Sequence, residues 1–338
     1  NGQPRLTHCE DAVVAPQRDD TAIITAGTSR FRTAFAKGPK QLVYTDVNEP
    51  NPQAGEALID LDCSGICGSD MHAYLGHDER RPAPLILGHE AAGVIRSGPE
   101  AGRRVTINPL VSCGTCEACV EGRDNLCPSR QIISMPPREG SFAERLAMPT
   151  SNLVTVPDAV PLWHAALTEP MACGWHAVKL ALRLAHRAPG DMHAVVLGGG
   201  AIGIGSALSL AAQGVRSVTV LETNPVRLER LRRDLPQFEF HASFEDAGSK
   251  APDLVIDAVG FEPTRLIAST IVKPGGIIAH IGLGQATGGL DIRRMTLQEI
   301  TFCGTYTYTA EDFRETAAAI FRGAFGDFNW VEQRSLSD

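Results

Sequence analysis

The sequence contains no long hydrophobic run and no excess of basic residues. No stretch approaches the roughly 20 uninterrupted apolar residues that a membrane span requires. The formal net charge of −8 at pH 7 argues against nucleic-acid or membrane partners, because both need a basic patch. Asp19 and Asp20 interrupt the apolar residues near the amino terminus, so we expect no secretory signal. The numbering starts at Asn1 rather than Met, and we expect the native start to lie elsewhere.

The composition is otherwise ordinary for a globular protein. The 338 residues suggest about two domains, with 43% hydrophobic and 21% charged residues. Nine cysteines in a chain without a signal peptide indicate thiols that the cytoplasm keeps reduced. We therefore predict a cytoplasmic protein whose cysteines are metal ligands or core residues and not disulfide partners.

Two halves of the chain differ in their hydrophobic pattern. Alternation and Gly- and Pro-rich connections after residue 30 predict a compact, mostly β domain, with strands around Arg32–Val47 and Ala57–Leu61. A helical pattern over Ala165–Ala185 then leads into alternating apolar strands and helices, which indicates a parallel sheet covered on both faces. Its strands are predicted over Ala194–Leu197, Val218–Leu221, Leu254–Ala258 and Ile277–Ile281, and its helices over Ile202–Gln213, Pro225–Arg233 and Thr264–Val272.

Four cysteines crowd into fifteen residues with the spacing C-x2-C-x2-C-x7-C. Closely spaced thiols let a short loop enclose one tetrahedral Zn²⁺, and the longer gap returns the last ligand. A closed set of four thiolates leaves no position for substrate, so the predicted zinc is structural. The alternatives are an iron–sulfur cluster, whose motifs use other spacings, or unrelated buried cysteines. The residues are Cys113, Cys116, Cys119 and Cys127.

A glycine motif of the form G-x-G-x-x-G follows the first predicted strand of the second half. Gly198 would make the turn, Gly200 would admit a pyrophosphate, and Gly203 would let helix and strand pack closely. Ala201 and Ile202 begin the helix whose amides and dipole favour an anion. The alternative is a tight turn without a ligand.

An acidic residue, Glu222, ends the next strand 19 residues after Gly203. An acid there accepts hydrogen bonds from the adenosine ribose hydroxyls and repels a 2′-phosphate, which favours NAD over NADP. Arg227 at the start of the following helix either contacts the adenosine or is a solvated charge.

Two short motifs carry candidate catalytic groups. They are Gly65-Ile-Cys67-Gly-Ser69-Asp70-Met-His72 and Gly88-His89-Glu90. A catalytic zinc needs about three protein ligands and one open position. Cys67 and His89 supply two, and Glu90 or Glu169 could complete the set. Each residue alone could equally be an ordinary core cysteine or histidine.

With these motifs the chain resembles the zinc-containing medium-chain dehydrogenase/reductase (alcohol dehydrogenase) family, particularly its polyol (sorbitol-like) and threonine dehydrogenase branch. The resemblance runs from about Thr33 to the end, and also includes Glu169-Pro170. It implies an α/β protein with a GroES-like, β-rich catalytic domain and a Rossmann domain with a doubly wound parallel sheet, and an active site between them. The predicted division is an extension over 1–30, the catalytic domain with its zinc lobe over 31–165, the NAD-binding domain over 166–305, and a return towards the catalytic domain over 306–338.

The resemblance also implies the cofactors and the site. They are NAD and two zinc ions per chain, the catalytic one bound by Cys67 and His89. Glu90 ligates this zinc or sits just behind it, and Glu169 is a ligand or holds the zinc-bound water. Asp70 would orient His89.

The implied proton path begins at Ser69, which would take the substrate proton and pass it through the nicotinamide ribose to His72 and solvent. The alternative for His72 is an ordinary surface histidine. The zinc would stabilise the alkoxide, which delivers hydride to the nicotinamide.

The expected reaction is oxidation of a secondary alcohol in a polyol or sugar alcohol to a ketone. The alternatives are an L-threonine 3-dehydrogenase, a primary alcohol dehydrogenase, or a non-catalytic NAD- or zinc-binding structural or sensing protein. Thr307 departs from the polyol pattern, which tends to carry an arginine there, and Cys173 is interpreted as packing. The family would be expected to continue with a further helix and strand after Asp338. It also suggests a homodimer or homotetramer, paired through the strand near Thr301–Thr305.

Overall fold

The computed structural model describes residues 11–15, 30–248 and 250–335. These residues form two compact units. The first unit runs through Glu169 and resumes at Thr309, and the second comprises Pro170–Tyr308. Residues 1–10 and 16–29 of the predicted extension lie outside the described residues.

The secondary structure elements are numbered along the chain. The strands are β1 (Asp11–Ala15), β2 (Arg30–Gly38), β3 (Gln41–Asn48), β4 (Glu56–Gly65), β5 (Leu85–Ile86), β6 (Glu90–Ile95), β7 (Arg104–Ile107), β8 (Leu110–Val111), β9 (Gln131–Ile132), β10 (Arg145–Pro149), β11 (Leu153–Thr155), β12 (His193–Leu197), β13 (Ser217–Leu221), β14 (Glu239–His241), β15 (Leu254–Asp257), β16 (Ile277–His280), β17 (Thr301–Gly304) and β18 (Glu332–Ser335). The helices are α1 (Gly68–Tyr74), α2 (Glu117–Val120), α3 (Leu162–Ala166), α4 (Thr168–Leu184), α5 (Ala201–Ala212), α6 (Pro225–Asp234), α7 (Phe244–Ala247), α8 (Glu262–Ile271), α9 (Ile292–Leu297) and α10 (Ala310–Phe321).

The first unit is built on a seven-stranded sheet in the order β11-β7-β6-β4-β1-β18, with β10 also paired to β4. Burial alternates along β10, as in a half-buried strand, whereas β6 is buried along almost all of its length. Ile59, Ile95, Ile107 and Met148 are fully or almost fully buried in one cluster on this sheet. β4 ends just before Cys67, and β6 begins immediately after His89.

The second unit contains a six-stranded parallel sheet in the order β14-β13-β12-β15-β16-β17. Its central strands are short, apolar and buried along their length, as expected when helices cover both faces. Leu197 pairs with both Leu221 and Asp257, and Asp257 pairs with His280, so these four strands end at one level. The loops that follow them therefore meet at one edge, where open α/β sheets bind ligands.

The fold class predicted from the sequence is confirmed, with every predicted strand and helix of the second half found within two residues. Residues 1–30 were expected to form an aperiodic extension, yet Asp11–Ala15 is a strand. It pairs parallel with β18 and antiparallel with β4. None of the helices in the part of the chain that the structure describes combines the length and the apolar character needed to cross a bilayer.

Candidate functional site

The Cys67, His89, Glu90 and Glu169 side chains come from three places in the first unit. Cys67 precedes the first turn of α1, and His89 immediately precedes β6, whose first residue is Glu90. Glu169 lies in the first turn of α4. One ligand atom from each of Cys67, His89 and Glu90 lies within 4.8 Å of the others, so the structure brings these three predicted ligands together.

Asp70 connects the two motifs of this cluster. Its carboxylate is 2% exposed and accepts hydrogen bonds from the Cys67 amide at 3.0 Å and from the Gly88 amide at 3.1 Å. Nδ1 of His89 lies 3.4 Å from Asp70 Oδ1, close but without a well-aligned hydrogen bond. Asp70 therefore lies on the Nδ1 side of the His89 ring, where the sequence predicted that it would orient the ring. The other ring nitrogen, Nε2, is left as the candidate metal ligand.

The cluster carries more acidic than basic groups in a buried place. Burial raises the pKa of Glu90 well above its usual range, and the neighbouring Cys67 and Glu169 raise it further. Burial alone would raise the pKa of Cys67, but contact with His89 outweighs it and lowers that pKa. Glu90 Oε1 is buried without a hydrogen-bond partner among the described residues. Such crowded anionic donors fit a divalent cation.

Gly65 makes room for the Glu90 side chain. The two residues are paired across β4 and β6. A Cβ atom at position 65 would lie 2.0 Å from Glu90 Oε2, far inside van der Waals contact. The glycine of the first motif is therefore needed for the carboxylate of the second to reach the cluster.

Ser69 and His72 lie three residues apart on α1, a spacing that places both on one side of a helix. Ser69 is partly buried and His72 is exposed. Behind them the buried guanidinium of Arg81 donates to the Ser69 carbonyl at 3.4 Å and to the Ser134 carbonyl at 2.9 Å. The sequence reasoning missed Arg81, because an arginine in the charged run Asp78-Glu-Arg-Arg81 looks like a solvated residue.

The four cysteines of the lobe point at a common centre, with all four Sγ atoms within 4.8 Å of one another. The Sγ atom of Cys119 lies 3.5 Å from that of Cys116 and 3.9 Å from that of Cys113. Zinc–sulfur bonds of about 2.3 Å in a tetrahedron separate the sulfur atoms by about 3.8 Å, so these distances suit a single ion. Amide and hydroxyl donors lower the pKa of Cys113 to about 6, which favours a thiolate.

The lobe is also joined to the last helix of the first unit. Both carboxylate oxygens of Asp124 lie 3.1 Å from the amide of Ala310, the first residue of α10. An anion at a helix amino terminus is favoured by the free amides and by the helix dipole.

The glycine motif of the second unit forms a turn between β12 and α5. Gly198 has φ +94°, a conformation that glycine adopts without strain. A Cβ at Gly203 would lie 1.8 Å from the Gly198 carbonyl oxygen, so helix and strand approach as closely as the motif predicts. A Cβ at Gly200 would meet no atom within 4 Å. The open side of the turn, next to Ala201 and Ile202 at the start of α5, fits a pyrophosphate.

Glu222 follows β13 and is 5% exposed. Its carboxylate accepts hydrogen bonds from the Gly199 amide at 2.9 Å, the Asn224 amide at 2.6 Å and Arg227 Nη1 at 2.9 Å. Burial alone would raise the pKa of Glu222, but these hydrogen bonds outweigh it and lower the pKa. Arg227 is thus paired with Glu222 and only 15% exposed, which does not fit the solvated charge considered above.

Two further loops meet at this edge of the sheet and were not anticipated from the sequence. A Cβ at Gly260, after β15, would lie 2.1 Å from the carbonyl oxygen of Gly282, after β16. Asp257 Oδ1 accepts from the Val259 and Gly260 amides at 3.1 and 2.9 Å, and Oδ2 lies 3.0 Å from His280 Nδ1. In the sequence, Asp257 looks like the polar residue that ends an apolar strand. Only its position in the fold, at the same sheet edge as the glycine turn, suggests that it holds the loops there.

Two other residues singled out in the sequence lie in the second unit. Thr307 has φ +45°, a left-handed conformation unusual for a β-branched residue, and its Oγ1 is buried without a hydrogen-bond partner among the described residues. Cys173 lies partly buried on α4.

Comparison with known proteins identifies relatives over most of the chain. Residues 53–158 match the alcohol dehydrogenase GroES-like domain. The chain is 32% identical to L-galactonate-5-dehydrogenase of Escherichia coli K12, over 87% of this chain and 88% of that protein. It is 31% identical to sorbitol dehydrogenase of Bacillus subtilis, over 82% of each. A solved alcohol dehydrogenase of E. coli CFT073 (rspB), complexed with NADH, superimposes with a TM-score of 0.78 and 26% identity, covering 88% of this chain and 89% of that one.

The fold and these relatives define a dehydrogenase that combines a GroES-like β unit with a parallel-sheet dinucleotide unit. The chain belongs to the medium-chain alcohol dehydrogenase superfamily, in the branch of the polyol dehydrogenases. The predictions of an enzyme and of zinc and a nicotinamide dinucleotide as its cofactors agree with this membership. The roles of the individual site residues stay predictions.

Proposed function

We propose that this enzyme oxidises a secondary alcohol of a polyol or sugar alcohol to a ketone and transfers the hydride to NAD. The observation that carries the proposal is the buried cluster of Cys67, His89 and Glu90, within ligand distance of one another and rich in negative charge. A carboxylate in the metal site suits a hydrophilic substrate better than an all-thiolate site would. The names of the relatives, which act on galactonate and sorbitol, support the same substrate class.

Cys67, His89 through Nε2, and Glu90 would hold the catalytic zinc. Bound zinc acts as a Lewis acid that lowers the pKa of an alcohol hydroxyl group. Asp70 supports this set by accepting a hydrogen bond from the Cys67 amide and by lying 3.4 Å from His89 Nδ1, where its charge favours the tautomer that carries the proton on Nδ1. The charge of Glu169 raises the pKa of both Glu90 and Cys67. We propose that Glu169 lies next to these ligands without binding the zinc itself.

Ser69 and His72 would move the substrate proton. The Ser69 hydroxyl would accept the proton of the alcohol and give up its own proton to the nicotinamide ribose, on the way to His72. Arg81 donates a hydrogen bond to the main-chain carbonyl of Ser69. The exposed His72, one turn further along α1, exchanges the proton with solvent. A histidine suits this step because an imidazole ring can both accept and donate a proton.

The second unit would bind NAD through the glycine turn and Glu222. The amides at the start of α5 would hold the pyrophosphate, and the Glu222 carboxylate would accept hydrogen bonds from the ribose hydroxyls. The depressed pKa of Glu222 keeps this group negative, which disfavours the 2′-phosphate of NADP. Arg227 would lie beside the adenosine, and its ion pair with Glu222 supports this assignment.

A panel of alcohols incubated with NAD, read by NADH absorbance, tests the proposal. We expect turnover of polyols or sugar alcohols with secondary hydroxyl groups, and its loss in Cys67→Ser. Activity confined to ethanol-like alcohols or to L-threonine would replace the polyol assignment by one of the alternatives. A protein without dehydrogenase activity that holds a single zinc per chain would favour a structural or sensing role.

We also propose a homodimer or homotetramer in which β17 pairs with the same strand of a second copy. This strand is an edge of the parallel sheet, and Phe302 on it is 36% exposed. The Thr301 and Thr305 amides donate inwards to Gly276 and His280, so the Phe302 amide between them faces the free edge. Light scattering of the wild type and of Phe302→Pro, which removes that donor, would test this pairing. The cytoplasmic location and the lack of nucleic-acid and membrane partners stay predictions.

A further inference from the structure

We propose that Arg265 is a positioning residue for the dinucleotide, because its buried guanidinium locks together the loops after β15 and β16, which lie on one side of the glycine turn. This inference rests on the proposed use of NAD. Arg265 lies in the first turns of α8 and is 5% exposed. An arginine on a surface helix of an α/β sheet normally points to solvent, so its burial needs a reason.

The guanidinium donates only to main-chain carbonyl groups. Nη1 donates to Gly260 at 2.9 Å and to Gln285 at 2.9 Å, and Nε donates to Gly288 at 2.6 Å. Nη2 donates to Thr287. The first of these carbonyls belongs to the loop after β15 and the other three to the loop after β16. One side chain therefore joins both loops with four hydrogen bonds from a planar, charged group.

The segment from Gln285 to Gly289 is wrapped around the start of α8 by further contacts. Gln285 Oε1 accepts from the Glu262 amide at 2.8 Å, and the Gln285 amide donates to the Gly260 carbonyl at 2.8 Å. Gly289 has φ +87°, and a Cβ there would lie 2.2 Å from the Glu262 carbonyl oxygen. The segment therefore curves around the Arg265 guanidinium, which donates to three of its carbonyl groups.

The locked loops adjoin the glycine turn directly. A Cβ at Gly198 would lie 2.5 Å from Cγ2 of Val259, the residue that precedes Gly260. Val259 in turn accepts a hydrogen bond from the Gly284 amide at 3.2 Å. A shift of the Arg265 loops would thus move the wall against which the pyrophosphate turn packs, and loosened loops would bind the dinucleotide less well.

Arg294 offers a matched control on the neighbouring helix α9. Its guanidinium also donates to main-chain carbonyls of α8, to Ser269 at 2.5 Å and Val272 at 2.7 Å, but at the end remote from Gly260. Arg265→Gln and Arg294→Gln therefore remove the same kind of interaction from the two ends of one helix.

The experiment measures NADH binding by fluorescence titration, KM for NAD and for the alcohol, and Tm. We expect Arg265→Gln to raise the Kd for NADH and the KM for NAD about ten-fold, with a much smaller change in the KM for the alcohol. Arg294→Gln should lower Tm but leave the Kd for NADH within about two-fold of the wild type. Equal effects of the two variants on NADH binding would overturn the positioning role.

Arg265→Lys keeps the positive charge but cannot donate to four carbonyl groups at once. This variant replaces Arg265→Gln in the experiment if the glutamine variant does not fold. We expect a raised Kd for NADH in this variant too, and a wild-type Kd would overturn the inference. A wild-type protein that binds no NADH would overturn the proposed function as well. Normal NADH binding by both wild type and Arg265→Gln would overturn only the role of Arg265.

Discussion

The Glu222 carboxylate accepts a hydrogen bond from the Gly199 amide at 2.9 Å. The acid predicted to bind the ribose and the turn predicted to bind the pyrophosphate are thus joined before any cofactor arrives. Because the amide holds the carboxylate in place, less side-chain freedom is lost on binding.

Replacing Glu222 by alanine should weaken NAD binding and reduce discrimination against NADP. The variant loses the acceptor for the ribose hydroxyls and frees the positive Arg227, which could then attract a 2′-phosphate. We expect the KM for NAD to rise about ten-fold or more, and the KM for NADP to fall. Steady-state kinetics with both cofactors measures these changes. The control is Glu229→Ala, which removes an exposed acid from α6, the helix that carries Arg227. An unchanged KM for NAD would refute the cofactor assignment.

Zinc content should show which of Glu90 and Glu169 is a ligand of the catalytic zinc. Glu90 lies within ligand distance of Cys67 and His89, whereas Glu169 acts on them through its charge. We expect Glu90→Gln to lose the catalytic zinc and keep the structural one, and Glu169→Gln to keep both but lose about 10²-fold or more in kcat. Metal analysis of the purified variants provides the measurement. Loss of zinc from Glu169→Gln alone would exchange the two roles.

Removing one thiol of the lobe should cost a metal ion and stability but leave the chemistry in place. Cys116→Ser leaves only three thiolates for a closed tetrahedral site. We expect this variant to keep about one zinc per chain and to unfold at lower temperature, with residual dehydrogenase activity in the folded fraction. Cys173→Ser, a cysteine outside both clusters, is the control. Two zinc ions retained in Cys116→Ser would contradict a four-cysteine site.

The buried Asp257 should contribute stability that disappears in acid. Burial alone would raise its pKa, but hydrogen bonds from His280 and from the Gly260 and Val259 amides hold the pKa below the ordinary value of 3.8. A carboxyl group with a lower pKa in the folded state stabilises the fold above that ordinary value, and the contribution is lost as the pH falls through the folded pKa.

Urea unfolding measures this effect. We expect Asp257→Asn to lower the free energy of unfolding by about 1.5–3 kcal/mol at pH 7, and by clearly less at pH 3. Asp246→Asn, an exposed acid of the same unit, should change little at either pH. An equal loss from Asp257→Asn at both pH values would contradict the pKa argument.

Much of the fold could be predicted because its signals are local. The glycine turn at Gly198, the cysteine spacing and the apolar strands of the parallel sheet are each written in a short stretch of sequence. Asp11–Ala15 was missed because a strand held by backbone pairing to β4 and β18 needs no pattern of its own. The family membership came from motifs, not from hydrophobic pattern.

The rest of the site could not be predicted because it depends on contacts between distant segments. Arg265 and Arg81 act on main-chain carbonyl groups, which look the same in every residue and leave no trace in the sequence. Arg227 was left between two alternatives because its pairing with Glu222 depends on the loop geometry between β13 and α6.

The overlap that a Cβ at position 65 would make with the Glu90 carboxylate couples the choice of residue at two positions 25 apart in the sequence. A side chain could enter at 65 only if 90 became smaller or turned away. A shorter residue at 90 would remove the 2.0 Å overlap with the carboxylate and leave only the 2.9 Å approach to its Cβ, whereas relatives that keep the carboxylate keep the full requirement for glycine. Across evolution, the two positions should therefore change in concert, with substitution at 90 opening the route to substitution at 65.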